Sequence, residues 1–249
     1  MDLGLSGQVF LVTGGTRGLG RAGAEHLVAE GARVVVSSRS AAAVTETVAA
    51  LGGPDRATGL ASDNADPQSA ERLVDLAADH FGRLDGALVS VGGPPAGGVL
   101  ELSDEAWRAA FESVFLGAVR LARAVARALE GPGAIGLVLS SSVRSPIPGL
   151  AISNGLRPGL AMVAKTLADE LGPRGVRVFG LLPGILATDR IRELYPDAGA
   201  QAAAAAAVPL RRIGDPAEFG RVAAFLLSPA AGYLTGCVIP IDGGSIRSL

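Results

Sequence analysis

The chain has 249 residues, 49% of them hydrophobic, 18% charged and 4% aromatic, with a formal net charge of −2. That length can bury a large core, and interspersed, nearly balanced charges offer a polyanion or an anionic bilayer nothing to hold, so neither nucleic acid nor membrane is expected as a partner. The single cysteine, Cys237, excludes an internal disulfide and reads as a small core residue in a reducing compartment. No run of eighteen apolar residues occurs, and no basic region leads into an apolar core at the start, so a cytoplasmic location is expected.

The first element is the apolar run Val9-Phe10-Leu11-Val12, read as a buried strand, and the apolar spacing over 22–29 predicts a helix. Between them stands Thr13-Gly14-Gly15-Thr16-Arg17-Gly18-Leu19-Gly20. A glycine-rich strand-to-helix turn aims unpaired N–H groups and the positive end of a helix at an anion, and it lets a pyrophosphate approach without meeting a Cβ. Gly14, Thr16, Arg17, Gly18, Leu19 and Gly20 are therefore candidate dinucleotide-binding residues. The second strand, 33–36, ends in Ser37-Ser38-Arg39. A ribose 2′-hydroxyl wants an acid about 20 residues beyond the glycine loop, and none stands there. Arg39 with Arg17 could clamp a 2′-phosphate instead, with Ser37 or Ser38 adding a hydroxyl donor, which favours NADP over NAD. Either arginine alone would also serve as ordinary solvated surface charge.

A helix over 42–51 and a third strand over 57–61 follow. Asp63-Asn64 then stands where it could touch an adenine edge, although Asp-Asn is also common turn chemistry. The alternation continues with helix 67–81, strand 87–89, helix 104–129, strand 135–139, helix 156–171, strand 176–182, helix 217–227 and strand 238–241. Repeated strand–helix–strand order predicts a single α/β domain, a doubly wound parallel sheet with helices on both faces, whose ligands bind beyond the carboxyl ends of the strands. Only residues 188–209 break the rhythm. That irregular stretch, with a helix-prone run over 201–207, is either a lid over a pocket or a surface helix.

Over essentially its whole length the chain resembles the short-chain dehydrogenase/reductase family, in the branch that includes the 3-oxoacyl-ACP reductases. The resemblance rests on the spacing of Gly14, Gly18 and Gly20, on Ser140-Ser141-Ser142, on Leu182-Pro183-Gly184-Ile185 with Thr188, on Arg212 to Glu218, and on the ending Leu234-Thr235-Gly236 through Asp242-Gly243-Gly244. It implies a Rossmann-like sheet of about seven strands, a nicotinamide cofactor, a small-molecule carbonyl or alcohol substrate, and a homotetramer or dimer built through helices 107–129 and 156–171. Ser90, Gly92, Pro183 and Gly184 would join the cofactor site, with Ile185 and Thr188 meeting the nicotinamide carboxamide.

The catalytic positions depart from the family. Its Tyr-x-x-x-Lys pair aligns with Ser153 and Arg157, its asparagine-alanine-glycine stretch with Ser90-Val91-Gly92, and its helix asparagine with Val114. Only the serine remains, Ser140 at the expected distance upstream of Ser153, with Ser142 as a near alternative. Pro158 lacks an N–H, so the helix is expected to start near Arg157 or to kink there. A serine hydroxyl is too weakly acidic to replace a tyrosine, and arginine does not give up a proton near neutrality. Arg157 could still hold a developing alkoxide while water routed through Ser140 or Ser153 supplies the proton, or it could simply bind ribose and phosphate.

The catalytic candidates are thus Ser140, Ser153 and Arg157. Three readings stay open: NADP(H)-dependent redox chemistry at a rebuilt site, cofactor binding without turnover, and a lyase or isomerase on the same scaffold. Tyr195, in the presumed lid, could swing inward as an acid. Tyr233 reads as packing beside the last strand, His26 and His80 as partly buried structural histidines, and Arg144 as either a contact for an acidic substrate or loop surface. Lys165 lies too far along its helix to replace the missing lysine. No His, Cys and carboxylate set has metal-ligand spacing, and no catalytic metal is expected. The pocket, lined by Ser140, Val143, Ser153, Pro94 and the lid, reads as mostly apolar, suiting a ketoacyl compound or cyclic ketone.

Overall fold

The computed structural model describes residues 2–248. Seven strands, β1 (Val9–Thr13), β2 (Arg33–Ser38), β3 (Ala57–Ala61), β4 (Gly86–Val89), β5 (Gly133–Val138), β6 (Val176–Pro183) and β7 (Val238–Ile241), form one sheet in the order β3-β2-β1-β4-β5-β6-β7. Every neighbouring pair is parallel. The chain winds outward from β1 to β3, then returns to the other side of β1 for β4. The connections leaving β1 and β4 therefore diverge, which opens a crevice above their carboxyl ends.

Nine α-helices are described: α1 (Gly18–Ala29), α2 (Ala41–Ala50), α3 (Ser69–Phe81), α4 (Asp104–Ala110), α5 (Gly117–Ala128), α6 (Ala151–Leu171), α7 (Asp189–Leu194), α8 (Ala198–Ala207) and α9 (Pro216–Leu227). Alternate strand residues feed two cores, one on each face of the sheet. Val9 and Leu11 of β1 join Leu73 of α3, Leu121 and Val125 of α5 and Leu160 of α6. Phe10 and Val12 join Leu27 of α1, Val44 of α2 and Phe219 of α9. Each such fully buried side chain contributes about 1.5–3 kcal/mol, so the two cores hold the strand ends in fixed register.

The helix expected over 104–129 is interrupted by a π-helical turn, Phe111–Leu116, which joins α4 to α5 and carries the buried Val114. Within residues 188–209 the helix-prone run falls in α8, and α7 precedes it where an irregular stretch is expected. The expectation that the helix starts near Arg157 is also corrected, because α6 begins at Ala151 and holds Pro158 inside. Tertiary bonds start the helix early. Gly97 N–H donates to Gly149 O (2.7 Å) and Ala151 N–H to Gly97 O (3.1 Å), while the Asn154 amide clamps the Ile147 main chain at 2.9 and 3.0 Å. Tyr233 is fully exposed rather than packed beside β7, since it stands on the turn after the short 3-10 element Pro229–Ala231. Cys237 is only half-buried, because β7 is the edge strand. Among the described residues no helix is long and apolar enough to cross a membrane.

Candidate functional site

The crevice between β1 and β4 is closed from below by Thr13, whose Oγ1 donates to Ser90 O (2.9 Å) and accepts from Ser90 N–H (3.0 Å). This reciprocal pair ties the ends of the two strands together, a role that the sequence reading did not give Thr13. Above it the chain turns through Gly14, at φ +57°, where an added Cβ would lie 2.7 Å from Ser90 O. Gly18, at φ +53°, opens α1. A Cβ there would sit 3.5 Å from the Thr188 Cγ2, so the turn is brought against the entry to α7.

The N-terminus of α1 has no side-chain cap, as is also true of α3, α6 and α7, but it alone follows the glycine turn. Ser40, Ser103, Asp197 and Asp215 cap α2, α4, α8 and α9 with side-chain oxygens. Arg17, at the same position of α1, provides no such cap. The first-turn N–H groups of a twelve-residue helix are therefore left for an acceptor outside the chain, and the adjoining turn is glycine where a side chain would obstruct one. The residues present fit a dinucleotide pyrophosphate. A cleft of about 280 Å³ adjoins this turn, lined by Gly18, Arg21, Thr188, Arg192 and Asp215 among others.

Arg17 and Arg39 are both exposed, and neither guanidinium bonds to another described residue. Ser38, half-buried, donates to Ser40 O at 3.3 Å, whereas Ser37 is fully buried and turned into the core, so Ser38 is the hydroxyl on the ligand side. Asp63 is exposed, and its Oδ1 accepts from Ala65 N–H (2.9 Å), an Asx turn. Gly117 of α5 leaves no room for a Cβ against Asn64 O, which packs the Asn64 main chain onto that helix. On the far side Gly184 N–H donates to Ile241 O (3.0 Å), and Gly214 N–H to Ile185 O (2.9 Å). These bonds fix the segment running from Pro183 to Thr188 beside the ends of β6 and β7.

At the catalytic positions three serines and one arginine come together. Ser142 N–H donates to Ser140 Oγ (3.1 Å), and the buried hydroxyls of Ser142 and Ser153 lie 3.4 Å apart. Ser142 is thus a full member of the cluster. Arg157, one turn beyond Ser153 on α6, is 4% exposed. Its Nη1 donates to Val138 O (2.7 Å), and its Nη2 to Val91 O (3.3 Å) and Gly92 O (3.4 Å). The guanidinium therefore bridges the ends of β4 and β5 instead of projecting into open space. Burial pushes its pKa down to about 10, which leaves it charged at neutral pH.

The other candidates stand apart. Lys165 is exposed and paired with Asp169 at 3.0 Å. His26 Nδ1 lies 2.9 Å from Ala22 O, and the exposed His80 places Nε2 2.8 Å from Pro54 O. Arg144 is exposed. Arg190 of α7, not singled out in the sequence, donates to Pro94 O (3.1 Å) and so links α7 to the loop after β4. No signal short of the fold could have paired residues so far apart in the chain. Among the described residues no group of three or more His, Cys, Asp or Glu could hold a metal ion.

Comparison with known proteins bears on what this arrangement does. Residues 14–245 match the family model described as enoyl-(acyl carrier protein) reductase. The chain is 34% identical to human dehydrogenase/reductase SDR family member 4 over 246 residues, covering 97% of this chain and 88% of that protein. It is 33% identical to L-rhamnose 1-dehydrogenase (NAD(P)(+)) of Azotobacter vinelandii, covering 97% and 98% of the two chains. The crystal structure of L-sorbose reductase from Gluconobacter frateurii complexed with NADPH and L-sorbose superposes with a TM-score of 0.93, at 30% identity over the whole of both chains.

Proposed function

Since the chain belongs to the short-chain dehydrogenase/reductase family and is one of its oxidoreductases of CH–OH and C=O groups, we propose that it uses NADP(H) and works through a rebuilt active site. The observation that carries the cofactor reading is the uncapped N-terminus of α1 beside two exposed, unpaired arginines, Arg17 and Arg39, with no acid at the end of β2. The first-turn N–H groups would hold the pyrophosphate, and the two guanidinium forks with Ser38 would hold a 2′-phosphate. NADPH in the sorbose reductase structure supports the same choice. When bound, the nicotinamide supplies or accepts a hydride at carbon.

The chain's own residues do the rest. Ser140 Oγ accepts from Ser142 N–H, so its own O–H is free to donate to a substrate oxygen. The proton comes from water, since neither a serine nor Arg157 releases one near neutral pH. Arg157 acts through the strand ends it bridges. Residues 188–209 serve as a lid, with Arg190 as its link to the β4 loop. Binding without turnover is the second reading, favoured by the commitment of Arg157 to three carbonyls.

Calorimetric titration of NADPH and NADH into the wild type and Arg39→Ala tests the cofactor. The expected result is a clear NADPH preference in the wild type and a loss of about tenfold or more in NADPH affinity in the variant, with NADH binding unchanged. Equal affinity of the wild type for both would overturn the NADP reading. Absorbance of NADPH with 3-oxoacyl thioesters, quinones and cyclic ketones, for the wild type and the double substitution Ser153→Tyr, Arg157→Lys, then separates turnover at the rebuilt site from binding alone.

A further inference from the structure

Arg157 alone among the described charged residues is fully buried. Its hydrogen-bond partners are three main-chain carbonyls, from Val138, Val91 and Gly92. Those dipoles satisfy donors but bring no negative charge, and none of the ion pairs in the described residues includes Arg157. Arg190 of α7, which donates to Pro94 O on the loop after β4, is a second cation, with Glu193 3.4 Å from its other nitrogen. The floor of the crevice beyond β4 and β5 thus carries a fixed, uncompensated positive charge, shielded from water.

We propose that the buried Arg157 guanidinium selects the redox state of the bound dinucleotide, favouring the reduced, uncharged nicotinamide over the oxidised, cationic ring. The inference rests on the reading above that a nicotinamide dinucleotide lies over the 90–92 segment. The phosphates and ribose are common to both redox forms, so their interactions cancel in the ratio of the two affinities. Only the ring charge differs. At an effective dielectric constant of about 20, two unit charges about 10 Å apart repel enough to change an equilibrium about tenfold. Tight reduced cofactor and weak oxidised cofactor suit an enzyme that reduces carbonyls and then releases its spent cofactor.

The test is calorimetric titration of NADPH, NADP⁺ and 2′-phospho-ADP-ribose, which lacks the ring, into the wild type, Arg157→Lys and Arg157→Met at one pH and ionic strength. The expected wild-type ratio of NADP⁺ to NADPH dissociation constants is about ten or more. Arg157→Lys keeps the charge while losing the fork, and should hold that ratio within about threefold even if it melts earlier. Arg157→Met should bring the ratio close to one, with the affinity for 2′-phospho-ADP-ribose unchanged. A wild-type ratio near one, or a ratio that survives in Arg157→Met, overturns the inference and leaves the cofactor reading standing. Failure of all three ligands to bind the wild type overturns the cofactor reading itself. Circular dichroism shows whether Arg157→Met is folded; where it is not, Arg157→Gln takes its place and must lower the ratio in the same way.

Discussion

A methyl group on Gly20 would be driven into the carbonyl of Gly14, and backbone cannot swing aside as a flexible side chain can. Gly18 is different: its added Cβ would meet only the Thr188 methyl at 3.5 Å, and its positive φ is what a side chain would strain. Gly20→Ala is therefore expected to cost about 1–3 kcal/mol and to weaken NADPH binding, because the turn must open to admit the methyl. Gly18→Ala is expected to cost about 1–2 kcal/mol through φ alone. Thermal melts with and without NADPH measure both, and a Gly20→Ala protein that melts and binds like the wild type would show that the turn is not tight in solution. The glycines could be recognised in the sequence because their job is local, set by spacing within one turn. Arg157 could be placed on its helix by counting, but not at its carbonyls. These belong to strand ends 19, 65 and 66 residues away, and the end of a long side chain is decided by tertiary packing.

The longest helix shows the same division between local and tertiary causes. Apolar spacing announces the body of α6, and proline chemistry alone argues for a start near Arg157; the main-chain bonds from Gly97 to Gly149 and Ala151 override that rule and begin the helix a turn and a half earlier. Pro158 is left inside, where it offers no N–H to the Asn154 carbonyl. Proline in a helix interior costs about 3 kcal/mol relative to alanine, part of which the surrounding packing already absorbs. Pro158→Ala is expected to stabilise the protein by about 1–3 kcal/mol, at about 2–4 °C of melting temperature for each kcal/mol in a chain of this size. An unchanged or lower melting temperature would mean that packing of the half-buried ring outweighs the missing hydrogen bond. The π turn Phe111–Leu116 gave no sign of itself in the sequence, since an extra residue in a helical turn leaves the apolar spacing on either side intact.

For the molecule as a whole, the strand–helix alternation specifies the sheet, because parallel strands need crossovers and crossovers cover both faces. What covers the outer surface of those crossovers is a separate matter. Phe111, 43% exposed, stacks on Phe115 with ring centroids 5.2 Å apart, and Met162 of α6 is 68% exposed. Large apolar groups so placed on the two long helices favour a second copy of the chain as their cover, in line with the homo-oligomer that the family resemblance implies. Light scattering coupled to size-exclusion chromatography should give a dimer or tetramer for the wild type. Phe111→Glu with Met162→Glu should lower that mass, since a carboxylate inside the interface would be desolvated without a partner. On a free subunit Met162 is largely open to water, where a substitution usually changes stability by no more than about 0.5 kcal/mol, and loss of the Phe111–Phe115 stack adds about 0.5–1.5 kcal/mol, so the lighter species should keep its fold. If the mass does not change, the contact lies elsewhere, and the apolar cavity of about 550 Å³ beside edge strand β7, lined by Val208, Leu210, Val222 and Ile241, becomes the surface to substitute next. A monomeric wild type would remove the reason for both.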